Sequence, residues 1–252
     1  MIKQILIEGD ILLPENYNKY KHFISLGANC FVSEDIIKLG LRNCSYPFDW
    51  LFSADFSGVI SAIESDFSEF LSYDVLMQHN DSKSRYYNSA YKFSFYHDFN
   101  KFQSLKSQLP HVQEKYNRRI VRFKKDITEP TVFFRYIISK NDIAFVVSNH
   151  ERINTLIKSF CPENSIVYLT HYEELLSLPY EVYLIEKDKD DWITRTPLLK
   201  NTVLHEKLQN TYFENKDFNK KFIQKTHKKF SLERALRRFF KKEYTHINVY
   251  RV

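Results

Sequence analysis

Phe23-Ile24-Ser25-Leu26-Gly27-Ala28-Asn29-Cys30-Phe31-Val32-Ser33 is the stretch from which the fold is read. An apolar run ends in a glycine turn, and a helical pattern follows over Ser33–Leu39. A strand that enters a helix through a tight turn is the repeating step of α/β sheets. It sets Cys30 at or near a helix N-terminus and at the C-terminal edge of a strand. Open α/β sheets bind their ligands at that edge.

Further apolar runs lie on both sides of this unit. Candidate strands are Ile5–Glu8, His22–Leu26, Tyr91–Tyr96, Thr131–Ile138, Ser165–Leu169 and Glu181–Glu186. Several are continuously apolar, as strands buried on both faces are. Helical patterns fall between them at Ser33–Leu39, Phe56–Ser65, His111–Asp126 and Asp142–Phe160, although Ile143–Val147 also reads as a short strand. The alternation predicts an α/β domain over residues 1–216, with a mostly parallel central sheet flanked by helices in a three-layer, Rossmann-like arrangement. Phe218–Lys242 reads as two short helices with Ser231 as an N-cap. Residues 217–252 are therefore expected to form a basic helical C-terminal extension.

Composition narrows the chemistry. The four glycines, Gly9, Gly27, Gly40 and Gly58, lie in the first quarter of the 252 residues, so turns that need glycine are concentrated there. Three widely spaced cysteines, Cys30, Cys44 and Cys161, form no CxxC pair. That argues against a disulfide framework and a structural zinc site, and no metal is expected. Free thiols, no secretory leader and no long apolar span point to a cytoplasmic protein. The net charge of +6 is concentrated between Asp217 and Glu243, where ten Lys/Arg face three Asp/Glu. The body is nearly neutral, and the extension is suited to an acidic partner.

Cys30 is the candidate nucleophile. A helix N-terminus favours negative charge, lowers a thiol pKa and offers backbone N–H groups to an oxyanion. Asn29 adds a side-chain donor, and Ser25 is a second candidate contact. Arg42-Asn43-Cys44-Ser45-Tyr46-Pro47-Phe48-Asp49-Trp50 is a rigid, aromatic-walled turn. Asp49 there could orient a histidine or simply cap the helix near Phe56. Arg42 could pair with Asp49 or bind an anionic substrate. Phe93-Ser94-Phe95-Tyr96-His97-Asp98-Phe99 places His97 just after an apolar strand, the best general-base candidate, with Asp98 following. Arg118 and Arg122 share a helix face four residues apart, with Arg119 offset, a cluster able to hold phosphate or carboxylate or to lie solvated. Arg135, in or just after a strand, needs a partner or a site-facing position. A Walker-type loop, GxGxxG, HExxH and Gly-x-Ser-x-Gly are all missing from the sequence.

Ser25-Leu26-Gly27-Ala28-Asn29-Cys30, Leu39-Gly40-Leu41-Arg42, Tyr46-Pro47-Phe48-Asp49-Trp50 and His97-Asp98-Phe99, in that order, resemble a bacterial family of papain-like cysteine peptidases. The Arg118-Arg119 helix and the Phe133-Phe134-Arg135 strand fit it too, so the resemblance runs from about His22 to Glu186. It implies Cys30 as nucleophile, His97 as base and Asp49 or Asp98 as orienter. Family members are associated with surface-polysaccharide gene clusters, which implies hydrolysis or transfer of an acyl group on a glycan or glycoconjugate.

The expected activity is thus a cysteine-dependent hydrolase or acyltransferase with a Cys–His centre. Asn29, Ser25, Arg42, Trp50, Arg118 and Arg135 are expected to bind substrate or oxyanion. No cofactor is required, although an acyl-coenzyme A co-substrate is compatible. The expected partner is a glycan or a small acyl donor. The alternative is a non-catalytic glycan- or sugar-nucleotide-binding module, with Trp50, Tyr86 and Tyr87 stacking on sugar rings. In the extension, Arg234, Arg237, Arg238, Lys241 and Lys242 interleave with Leu236, Phe239 and Phe240. That pattern fits a peripheral helix on an anionic inner membrane, or equally a solvated helix packed on the body. Nucleic acid is not an expected partner.

Overall fold

The computed structural model describes residues 17–187, 193–209 and 211. All of them belong to one compact unit, which ends at Phe213. The expected strand Ile5–Glu8 and the expected basic extension lie outside the described residues.

The chain builds β1 (His22–Ser25), α1 (Cys30–Lys38), β2 (Leu51–Phe52), α2 (Phe56–Glu64), β3 (Leu76–Gln78), β4 (Tyr86–Asn88) and β5 (Phe93–Phe95). It continues through α3 (Leu105–Asp126), β6 (Thr131–Ile137), α4 (Lys140–Phe160), β7 (Ser165–Thr170), β8 (Glu181–Leu184), α5 (Pro197–Lys200) and α6 (Thr202–Gln209). Strands β1, β6, β7 and β8 form a parallel sheet in that order. Every residue of β1 and β6 is buried, as the continuous apolar runs require.

Successive side chains of a strand face opposite ways, so this sheet carries two cores. Ile24, Phe133, Ile137, Ile166 and Tyr168 pack with α3 and α4. Phe23, Val132, Phe134, Tyr136, Val167 and Leu169 pack with α1, α5 and α6. Helices cover both faces, which gives the three-layer α/β arrangement. The Ile143–Val147 ambiguity resolves to helix. The Ser139 hydroxyl accepts from Asp142 N at 3.1 Å and starts α4, and Ile143, Val146, Ile153 and Ile157 then fall on one buried face.

One expected strand belongs elsewhere. The Tyr91–Tyr96 run contributes β5 not to the parallel sheet but to a second, antiparallel sheet of order β2-β5-β4-β3. In it Leu51 pairs with Phe95 and Phe52 with Ser94. Its inner face joins Phe48, Phe70 and Tyr116 in an aromatic cluster, with Phe70 and Phe93 ring centroids 4.9 Å apart. Much of the chain's aromatic load is used here, where strands of two or three residues need bulky rings to bury enough area.

α1 and α5 meet through Asp35. Its wholly buried carboxylate takes Lys38 Nζ at 2.9 Å on one oxygen and the Leu198 backbone N–H at 3.1 Å on the other. Burial pushes this carboxyl up to about 6, against the pull of Lys38. The folded chain therefore binds a proton there more tightly than the unfolded chain does. The stability that this proton confers is present at acidic pH and is lost as pH rises through about 6. Asp35→Asn keeps an acceptor and cannot ionise. Relative to the wild type it should gain on the order of 2 kcal/mol between pH 4 and pH 7 in urea unfolding. A difference that is flat with pH, or that moves the other way, would refute this assignment.

Candidate functional site

The turn after β1 is built to present Cys30. Past the end of the strand the chain still follows β6, with Leu26 N donating to Phe134 O at 2.9 Å and Tyr136 N to Gly27 O at 3.0 Å. Gly27 has φ +90°, and a Cβ there would lie 2.3 Å from Ser53 Oγ and 2.8 Å from Arg135 Nη1. Only glycine satisfies both the backbone and the crowding. Ser25 is buried, and its hydroxyl accepts from Gly27 N, so it serves the turn itself. Asn29 then caps α1, its Oδ1 accepting from Phe31 N at 3.0 Å. Cys30 is the first residue of the helix and half-buried, at the positive end of the peptide dipoles. The Asn29 side chain has a second feature. Its Nδ2 is buried without a hydrogen-bond partner.

Two buried ion pairs hold this turn. Arg135, fully buried, donates to Leu26 O, Ser53 Oγ, Ser53 O and Asp142 Oδ2 at 2.6–3.0 Å. Its two Nη nitrogens are spent on the scaffold beneath Cys30 and fix the turn from inside, while its Nε is buried without a hydrogen-bond partner. Arg42 pairs with Asp49, and the Asp49 carboxylate also accepts from Ser33 Oγ at 2.9 Å and Tyr46 N at 2.7 Å. Ser33 lies one turn beyond Cys30 on α1, so Asp49 ties the Pro-Phe-Asp-Trp segment to the base of the candidate site. Half-buried Trp50 lies under Arg42, 5.3 Å from guanidinium carbon to ring centroid.

His97 follows β5 and is exposed. It lies two residues beyond Phe95, the last residue of β5, which pairs with Leu51. Asp98 takes Lys115 Nζ on one oxygen and Tyr116 Oη at 2.9 Å on the other. His97 and Asp98 line an open cavity of about 430 Å³ with Asn100, Ser107 and His111; Cys30 is not part of its wall. Arg118 stands on the exposed face of α3, paired with Glu114. Among the described residues, no group of three His, Cys, Asp or Glu side chains is placed to hold a metal ion.

The structure adds a histidine that the sequence reading passed over. His171 follows β7 as Cys30 follows β1, at the same edge of the parallel sheet. Its Nδ1 lies 2.8 Å from Ile185 O and its Nε2 2.6 Å from the Tyr136 hydroxyl. A backbone carbonyl only accepts, so Nδ1 carries the proton and Nε2 is the basic nitrogen. The signal was available: a histidine directly after an apolar strand, the rule that selected His97.

A family model described as "Putative papain-like cysteine peptidase (DUF1796)" matches residues 21–173. The chain belongs to this family. A relative from Acanthamoeba polyphaga mimivirus, "Uncharacterized protein R408", is 31% identical over 120 residues, 40% of this chain and 54% of that protein. The chain thus spans about half the length of the curated relative it matches. No solved structure matches. The papain-like family span contains Cys30, Asp49, His97, Asp98, Arg135 and His171, and its description is that of a cysteine-dependent hydrolase.

Of the three thiols of this papain-like domain, Cys30 and Cys44 are both half-buried. Burial pushes Cys44 up to about 11, and its Sγ faces Asp126 Oδ2 at 3.7 Å. Cys161 is buried. Iodoacetamide at pH 7 should therefore label Cys30 first, Cys44 much more slowly, and Cys161 only after unfolding. Equal labelling of Cys44 and Cys30 in the native protein would contradict this ranking.

Proposed function

We propose that the chain is an acyl-group enzyme in which Cys30 is the nucleophile. The observation that carries the reading is the placement of Cys30 at the first position of α1, beside an Asn29 amide with a buried, unpartnered Nδ2. A buried donor without an acceptor costs free energy, and an oxyanion formed at Cys30 would supply that acceptor.

In the proposed cycle His97 takes the Cys30 proton. The thiolate, favoured by the helix N-terminus, attacks an ester, thioester or amide carbonyl carbon. The carbonyl π electrons move to oxygen, held by the first-turn N–H groups and Asn29 Nδ2. Collapse expels the alcohol, thiol or amine, which receives the proton from His97. The resulting thioester passes to water in hydrolysis, or to a hydroxyl of a glycan or glycoconjugate in transfer. Transfer would admit an acyl-coenzyme A donor. Asp49 and Asp98 act through the elements they anchor: α1 for the first, the His97 loop for the second.

His171 offers a second reading of the base from the edge it shares with Cys30, provided that its Nε2 first releases the hydrogen bond it accepts from the Tyr136 hydroxyl at 2.6 Å. The sugar-stacking alternative is weakened, because Tyr86 packs in the core with its ring 4.5 Å from that of Phe99. Binding of an anionic membrane surface would fall to the basic extension, outside the described residues. Among the described residues no helix is long and apolar enough to cross a membrane.

The test is intact-mass detection of acylation by p-nitrophenyl acetate and by acetyl-coenzyme A. An acetyl group should appear on Cys30 and vanish in Cys30→Ala. His97→Ala should slow its formation roughly 10²–10⁴-fold at pH 7, with partial recovery as pH rises and the thiolate forms unaided. A comparable loss in His171→Gln with His97→Ala unaffected would transfer the base role to His171. Unchanged acylation in Cys30→Ala would overturn the reading altogether.

A further inference from the structure

On the α3 side of the Arg42–Asp49 pair, three guanidinium groups gather. Arg119 and Arg122 lie three residues apart on α3, hence on one face. Arg122 Nη2 donates to Ser45 O at 3.0 Å, which brings it against the segment that begins with Arg42. Arg119 lies over the Tyr116 ring at 4.8 Å. It also lies close enough to Arg42 to act on its charge. Burial first pulls the Arg42 pKa down; Asp49 opposes this, and the like charge of Arg119 adds to it.

The carboxylates nearby are already engaged. Asp49 serves Arg42, Ser33 and Tyr46 N. Asp126 accepts from the Tyr46 hydroxyl at 2.8 Å and faces Cys44. Among the described residues three guanidinium nitrogens are buried without an acceptor: Arg119 Nη1 and Arg122 Nε lie here, and Arg135 Nε lies in the scaffold beneath Cys30. Charged donors left unsatisfied are among the more costly defects a fold can carry. Arg119 and Arg122 are only partly buried, so each also presents a side that an incoming group can reach.

We infer that Arg119 and Arg122, backed by Arg42, form a binding site for an oxyanion, a phosphate or carboxylate group. Two guanidinium forks at helix spacing suit the paired oxygens of such a group better than a single ammonium would. The site adjoins the candidate catalytic turn through one short chain of contacts, Arg42 to Asp49 to Ser33 on α1. That the anion belongs to the acyl substrate rests on the function proposed above; the site itself does not.

Two measurements separate these claims. The first is thermal unfolding of the full chain in inorganic phosphate against chloride at matched ionic strength. Phosphate should raise Tm in the wild type and in Cys30→Ala. The shift should be lost in Arg119→Gln and Arg122→Gln, reduced in Arg119→Lys, and kept in Arg118→Gln. No phosphate-specific shift, or equal loss in Arg118→Gln, overturns the site.

The second is the rate of Cys30 alkylation by anionic iodoacetate relative to neutral iodoacetamide. Arg119→Gln or added phosphate should lower this ratio several-fold, while Arg118→Gln leaves it unchanged. An unchanged ratio beside an intact Tm shift refutes the link to Cys30 and leaves the anion site standing. Failure of Cys30 to be acylated, with both readouts as expected, refutes the enzymatic reading alone.

Discussion

The buried pair between Arg135 and Asp142 is the contact on which the geometry of the candidate site depends. Arg135 sits in the middle of a sheet strand with no exposure to water, and its nitrogens reach four acceptors in three separate segments. Asp142, at the start of α4, uses its other oxygen to accept from Phe56 N at 2.6 Å, the first N–H of α2. One ion pair thus joins β6, the turn before Cys30, the β2–α2 connection and α4. The Phe56 ring closes one side of it at 4.7 Å. Charges taken this far from water are stable only when each finds several partners, and removing one partner strands the other. The gain is geometrical. A carbonyl at Leu26 held by a guanidinium cannot drift, so the following turn enters α1 at a set angle.

The Arg42–Asp49 pair repeats this device on α1 itself, through Ser33. Asp49 sits in a turn stiffened by Pro47, and its oxygens reach the helix that Cys30 opens. Both ion pairs bond to residues close to Cys30 in sequence, Leu26 before it and Ser33 after it, and Cys30 itself is half-buried. Its neighbours Ala28 and Val32 are fully buried. Cys30 and Phe31 are the partly exposed residues of this otherwise buried turn. A preorganised turn of that kind can hold a developing charge without reorganising.

The antiparallel sheet joins the Arg42–Trp50 segment to the strand that leads into His97. β2 follows the Arg42–Trp50 segment directly and pairs with β5, and His97 follows β5 two residues later. The aromatic cluster beneath, centred on Phe48, Phe70, Phe93 and Tyr116, fixes that small sheet against α3. Tyr116 belongs both to this core and to the polar contact with Asp98, so packing and the position of the His97 loop are set by one residue.

The order of residues alone determined the β1–turn–α1 unit, the parallel strands at β6, β7 and β8, the long helices, and Cys30 at or near a helix N-terminus. These follow from local spacing: continuous apolar runs, a glycine at a turn, and a helical pattern directly after it. What the spacing of residues did not contain was decided by tertiary structure. Strands of two or three residues carry no readable period, so β2, β3 and β4 were invisible and β5 was assigned to the wrong sheet. Arg135 was recognised as needing a partner, but its acceptors at Leu26 and Ser53 lie far away along the chain. Asp49 was legible as a carboxylate in a stiff turn, and its duty to Arg42, Ser33 and Tyr46 was not. Helix and strand are properties of neighbours in sequence. Which charge meets which, and which histidine shares an edge with a cysteine, depends on how strands are ordered across a sheet, and that order is fixed only when the whole core closes.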